Sequence, residues 1–151
     1  MIYIASDHGG FELKKKIINH LLEGKKEVED MGPQHLDPED DYPDFVIPLT
    51  KQMENDPESL GIVICRNGVG VSMCVNKFKH IRAALSWDPK HAASAKSDDN
   101  TNVLALPADY IGETTALEIV DTWLETRFSF APKHIRRLKK VETAHDTSDN
   151  S

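Results

Sequence analysis

One stretch constrains this chain more than any other: Ile62-Val63-Ile64-Cys65 running straight into Arg66-Asn67-Gly68-Val69-Gly70-Val71-Ser72. An apolar run without polar alternation needs cover on both faces, which is the condition of a strand inside a parallel sheet. The glycine-rich turn and the helical pattern behind it put a cysteine at the carboxyl end of that strand. There the backbone N–H groups of a turn face the thiol, so the thiolate is expected to form more readily than in a free cysteine. The same N–H groups suit a developing oxyanion. A small buried cysteine before an ordinary strand-to-helix turn is the plainer alternative.

The rest of the chain repeats the strand–helix order. Apolar runs at 1–6, 60–65, 81–86 and 102–106, with a weaker one at 27–30, alternate with helical patterns at 11–22, 45–54, 69–78, 88–97, 113–126 and 132–141. Phe11, Leu13, Ile17, Ile18, Leu21 and Leu22 share one helical face, which leaves Lys14, Lys15 and Lys16 largely on the solvent side. Leu117, Val120 and Leu124 are the expected inner face of the 113–126 helix. Pro48 should kink its helix or mark its first turn, and Asp88-Pro89 is a good helix start. Alternation of this kind predicts an α/β fold: a Rossmann-like three-layer sandwich with a five-stranded parallel sheet flanked by helices. Residues 1–141 are expected to form one domain and 142–151 a polar, disordered tail.

Sites in such sheets form beyond the carboxyl ends of the strands. Asp7 and His8 follow the first strand, Cys65 the third and Trp87 the fourth, so the reactive candidates gather on one edge. With 39% hydrophobic and 28% charged residues, the 151-residue chain can bury a real core. The formal net charge of −7 argues against general nucleic-acid or acidic-membrane binding. No apolar run is long enough to span a bilayer. Two cysteines without a disulfide-like framework fit a reducing cytoplasm. The seven histidines are scattered singly, without zinc-site spacing.

Five motifs then occur in register: Ser6-Asp7-His8-Gly9-Gly10; Asp41-Tyr42-Pro43-Asp44; the Ile-Cys-x-x-Gly-Val-Gly turn with Asn76-Lys77; Ile81-Arg82-Ala83-Ala84-Leu85; and Thr101-Asn102-Val103-Leu104-Ala105-Leu106. Together they resemble the type B ribose-5-phosphate isomerases and the related galactose-6-phosphate isomerase subunits, over residues 1 to about 140. The resemblance implies a metal-free, cofactor-free aldose–ketose isomerase that works as a dimer, with pairing into tetramers left open. It also implies a site that draws residues from both subunits. By the same resemblance, Cys65 is the base that moves a proton between adjacent carbons, with the Asn67, Gly68, Val69 and Gly70 turn around the enediolate. Asp7, His8 and Tyr42 match positions that contact the sugar or its phosphate. Arg137 matches a phosphate-binding arginine, and Lys133 stands where a second usually is.

The chain also departs from that pattern. Asp98-Asp99-Asn100 stands where the family usually has His-Asn-Asp, so Asp98 occupies the position of the ring-opening histidine and Asp99 that of its substrate-binding neighbour. Asp109 replaces an arginine after the fifth strand. Two added carboxylates oppose a phosphate dianion, and Arg66 is expected to compensate, by pairing with a carboxylate or by touching the ligand. A helix cap is the ordinary alternative for Asp7. Three functions remain open at this level: ribose 5-phosphate isomerisation, isomerisation of another sugar phosphate such as a hexose 6-phosphate, and sugar-phosphate binding without turnover. The room beside Trp87 and Asp98 is expected to separate the first two.

Overall fold

The computed structural model describes residues 1–144 and 146. Five parallel strands form one sheet in the order β2-β1-β3-β5-β4, with β1 Ile2–Ser6, β2 Val28–Asp30, β3 Leu60–Cys65, β4 Ala83–Leu85 and β5 Val103–Pro107. The helices are α1 Phe11–Glu23, α2 Pro43–Glu54, α3 Val69–Val75, α4 Pro89–Asp99, α5 Glu113–Glu125 and α6 Pro132–Glu142. This is the three-layer α/β sandwich that the alternating pattern predicts. Part of the expected tail, residue 145 and residues 147–151, lies outside the described residues, while Glu142 still belongs to α6.

Strand parity divides the core. Ile2, Ile4, Ile62, Ile64, Leu104 and Leu106 face Ile17 and Leu21 of α1 and Ile119, Val120 and Trp123 of α5. Tyr3, Ala5, Val63, Cys65, Val103 and Ala105 face Val46, Leu49 and Met53 of α2 and Val71 and Val75 of α3. Both faces of β1, β3 and β5 are therefore dry, as their unbroken apolar sequences require. Trp123 is fully buried, and its Nε1–H donates to Thr101 Oγ1 at 2.9 Å. That bond satisfies the one polar atom of the largest core side chain.

Two expectations about faces and one about a helix start are corrected. Lys14 is not on the solvent side: it is fully buried, and its Nζ donates to Asp30 Oδ1 and to the Pro33 carbonyl, each at 2.6 Å. A buried ammonium is tolerable only with such partners, and they come from β2 and the loop after it. The inner face of α5 is Ala116, Ile119, Val120 and Trp123, with Leu117 and Leu124 only packed at its margin. Finally, α2 begins at Pro43 and runs through Pro48. Pro43 at the first helical position has no N–H to leave unpaired, so the helix starts earlier than its apolar pattern suggests.

Candidate active site

The β3–α3 turn is built around two glycines. Gly68 has φ +72°, and a Cβ there would lie 2.7 Å from Leu85 Cδ1 and 3.1 Å from the Pro107 nitrogen. Only glycine combines that left-handed backbone with that closeness. At Gly70 a Cβ would lie 2.5–2.7 Å from the Tyr42 ring. Tyr42, just before α2, is thus pressed directly onto the turn that follows Cys65.

Cys65 ends β3, buried at 4% exposure, and its Sγ lies 3.7 Å from Asn67 Oδ1, within reach of S–H donation. The same Oδ1 accepts from the Val69 N–H at 3.0 Å. Asn67 therefore closes the turn and sets its own carbonyl oxygen beside the thiol. Among the described residues nothing accepts from the N–H groups of Gly68 and Gly70. The cradle is consequently narrower than the sequence suggests, because the Val69 N–H is already engaged.

Along the same edge, Asp7 follows β1. Its N–H donates to the Ile64 carbonyl at 3.3 Å, and its Oδ1 accepts from the Gly10 N–H at 3.2 Å. It thus caps the short turn His8–Gly10, as its ordinary alternative predicts. His8 stands beside it, and both its backbone N–H and its Nδ1 meet Asp40 Oδ1, at 2.9 and 2.7 Å. The His8 imidazole is raised above its ordinary 6.5, first by the hydrogen bond to Asp40 and then by the charge of Asp7, against a lowering by partial burial and by Arg66. Arg66 lies across Gly9 and pairs with Asp109, NH1 to Oδ2 at 3.4 Å, with both side chains well exposed at 61% and 46%. Such a pair contributes at most about 1 kcal/mol.

These nine residues, Asp7, His8, Tyr42, Cys65, Arg66, Asn67, Gly68, Val69 and Gly70, gather at one edge. Asp98, Asp99, Lys133 and Arg137 do not join them. α4 begins at the carboxyl end of β4 and returns the chain to the amino end of β5, so Asp98 and Asp99 lie at the opposite edge of the sheet. Asp98 accepts from Ser97 Oγ at 2.7 Å and lies 3.9 Å from Nε2 of His134. Asp99 lines a cavity of about 370 Å³ together with Arg82, Phe78, Leu138 and Val141. Lys133 and Arg137 project from α6 and are exposed. Trp87 stays at the first edge, half-exposed and stacked on His91 with ring centroids 4.2 Å apart. Trp87 and Asp98 therefore sit at opposite ends of α4 and line no common space within one chain. Cys74 is half-buried and not fully in the core, and burial pushes its thiol up.

Sequence reasoning missed Asp40. It lies in a run of acidic residues (Asp37, Glu39, Asp40, Asp41), and only its contact with His8 singles it out.

A family model described as ribose/galactose isomerase matches residues 2–141. The chain belongs to that family. Among its relatives is the "Probable ribose-5-phosphate isomerase B" of Mycoplasma pneumoniae, 47% identical over 140 residues, covering 93% of this chain and 91% of that protein. The crystal structure of ribose-5-phosphate isomerase B from Mycoplasma genitalium with bound ribulose-5-phosphate superposes with a TM-score of 0.92 at 40% identity, covering 96% of this chain and 95% of that one. The Clostridium thermocellum ribose-5-phosphate isomerase B gives a TM-score of 0.92 at 35% identity, with coverage of 97% and 98%. Similarity at this level extends through the β3–α3 turn and α6 alike, so both groups of candidate residues fall within the shared fold.

Proposed function

We propose that this chain interconverts ribose 5-phosphate and ribulose 5-phosphate through an enediolate, with Cys65 as the base. The Cys65 thiolate takes the C2 proton of the open-chain aldehyde and returns it to C1. The proton on the C2 hydroxyl passes to O1, so no atom or electron is gained or lost. Negative charge that develops on the two oxygens meets the N–H groups of Gly68 and Gly70, while Asn67 holds the turn closed. The observation that carries this reading is the buried thiol set against a turn with two uncommitted N–H groups.

The site is completed by a second copy of the chain, which brings Asp98, Asp99, Lys133 and Arg137 to the Cys65 turn. Their position at the far edge of the sheet supports this, because no hydrogen bond or ion pair among the described residues joins them to the thiol-side group. Lys133 and Arg137 supply positive charge for the phosphate. In ring opening Asp98 takes the proton from the anomeric hydroxyl as the C1–O4 bond breaks, and that proton passes on to the freed O4; the His134 imidazole stands beside Asp98. Two free cysteines are in keeping with a cytoplasmic enzyme.

Two experiments test this. Purified protein should turn over ribose 5-phosphate, and Cys65→Ala should not; no turnover by the wild type rejects the reading. Mixing Cys65→Ala, inactive alone, with Arg137→Ala, weakened alone, should restore about a quarter of wild-type kcat/KM if a two-fold dimer forms its sites from both chains, since half the dimers are mixed and each holds one intact site. No recovery would place every site residue in one chain and overturn the shared site.

A further inference from the structure

One contact at this edge ties the His8 ring to Asp40. It is made by a loop residue whose side chain is only 7% exposed, and both hydrogen bonds from His8 converge on one carboxylate oxygen. The other oxygen, Oδ2, is buried and has no hydrogen-bond partner among the described residues. A carboxylate in that condition is tolerable when a cation sits against it, and the group that sits there is the His8 ring. The Nδ1 atom is committed to Asp40, so the ring is fixed in orientation, and Nε2 makes no hydrogen bond among the described residues. When the ring is protonated, the pair presents one N–H donor with a positive charge behind it.

The surroundings explain why such a donor matters here. Arg66, the cation of the β3–α3 turn, spends its guanidinium on Asp109. Of the groups that one chain supplies at this edge, a phosphate dianion would meet Asp7, Asp40 and Asp109 against Arg66 unless His8 is charged, before Lys133 and Arg137 of a second copy are counted. We propose that Asp40 is a positioning residue for His8: it fixes the ring and keeps it as an imidazolium, whose Nε2–H binds the substrate's phosphate from the Cys65 side. The identity of that ligand rests on the function proposed above; the state of the ring does not.

The charged groups that face His8 are Asp7 beside it, Asp40 from the loop and Arg66 from the β3–α3 turn. Because the folded value is raised, the imidazolium persists above 6.5 and is lost as pH rises through the raised value. Inorganic phosphate is the probe, read by calorimetry, with the His8 ring followed by NMR and assigned by its disappearance in His8→Gln. In the wild type, His8 should titrate above 6.5, and phosphate affinity should fall as pH passes that point. In Asp40→Asn the titration should move down, and phosphate should bind about tenfold more weakly near pH 7.5, the loss of one charge-assisted hydrogen bond. KM for ribose 5-phosphate should rise while kcat is retained, and Asp40→Glu should recover part of the loss. Added to His8→Gln, Asp40→Asn should cost nothing further.

An ordinary His8 titration in the wild type overturns the proposal, and needs no variant to fold. So does an Asp40→Asn effect on phosphate that persists in the His8→Gln background. Absence of ribose 5-phosphate turnover alongside an Asp40-dependent titration would reject the isomerase reading and keep the pair. Turnover alongside an Asp40-independent titration would do the reverse.

Discussion

Around Cys65, the candidate side chains hang from the ends of buried strands; around Arg137, they hang from a helix that buries none of its residues. The first region is over-determined. Gly68 is trapped between Leu85 and Pro107, Gly70 lies under Tyr42, and Asn67 bridges the thiol and the Val69 N–H. The second is held by few bonds, chiefly Ser129 Oγ with His134 Nδ1 at 2.6 Å and the Asp98–His134 approach. The comparison teaches that the geometry proposed for proton transfer, where small displacements matter, is built into the core, whereas the charge proposed for binding an anion has a looser support.

Variants can break or sharpen that contrast, and the largest effect belongs to the core side. Cys65→Ala should reduce kcat by at least about a thousandfold, as expected when a general base is removed, with an unchanged melting temperature because the replacement is small and apolar. Residual turnover near wild type would remove Cys65 from the chemistry. Gly68→Ala should lose activity and, unlike Cys65→Ala, also about 1–3 kcal/mol of stability from the left-handed backbone and the contact with Leu85. Denaturant unfolding measures it, and an unaltered midpoint would mean that the turn relaxes freely. On the other side, Arg137→Ala should cost roughly ten- to a hundredfold in kcat/KM, within the range of a lost charge-assisted contact. Its melting curve should be indistinguishable from wild type. Arg66→Met should have the smallest effect, under about threefold in KM, because its exposed pair with Asp109 is weak; a larger rise would show that the guanidinium touches the ligand.

The division also explains what could be read from the sequence. Unbroken apolar strands, helical periodicity and the glycine turn all report local rules, so the parallel sheet and the Cys65 edge were legible. Lys14 was misread because its partners, Asp30 and the Pro33 carbonyl, are 16 and 19 residues away and leave no trace in helical spacing. In α5 the same period fits two phases, and only packing against β5 and Thr101 selects Trp123 over Leu124. Asp40 stands among similar acids, so its inward turn is a tertiary fact. The placement of Asp98 at the far end of α4 follows from topology, since a helix joining two parallel strands must run back against them.

The thin support of α6 has a consequence in time as well as in space. In a single chain, a helix attached by partial contacts should open at a lower free energy than the sheet beneath it, so its amide hydrogens should exchange with solvent while those of β1, β3 and β5 remain protected. The groups proposed to bind the phosphate would then be lost from their places, on warming, before the thiol and its turn are disturbed.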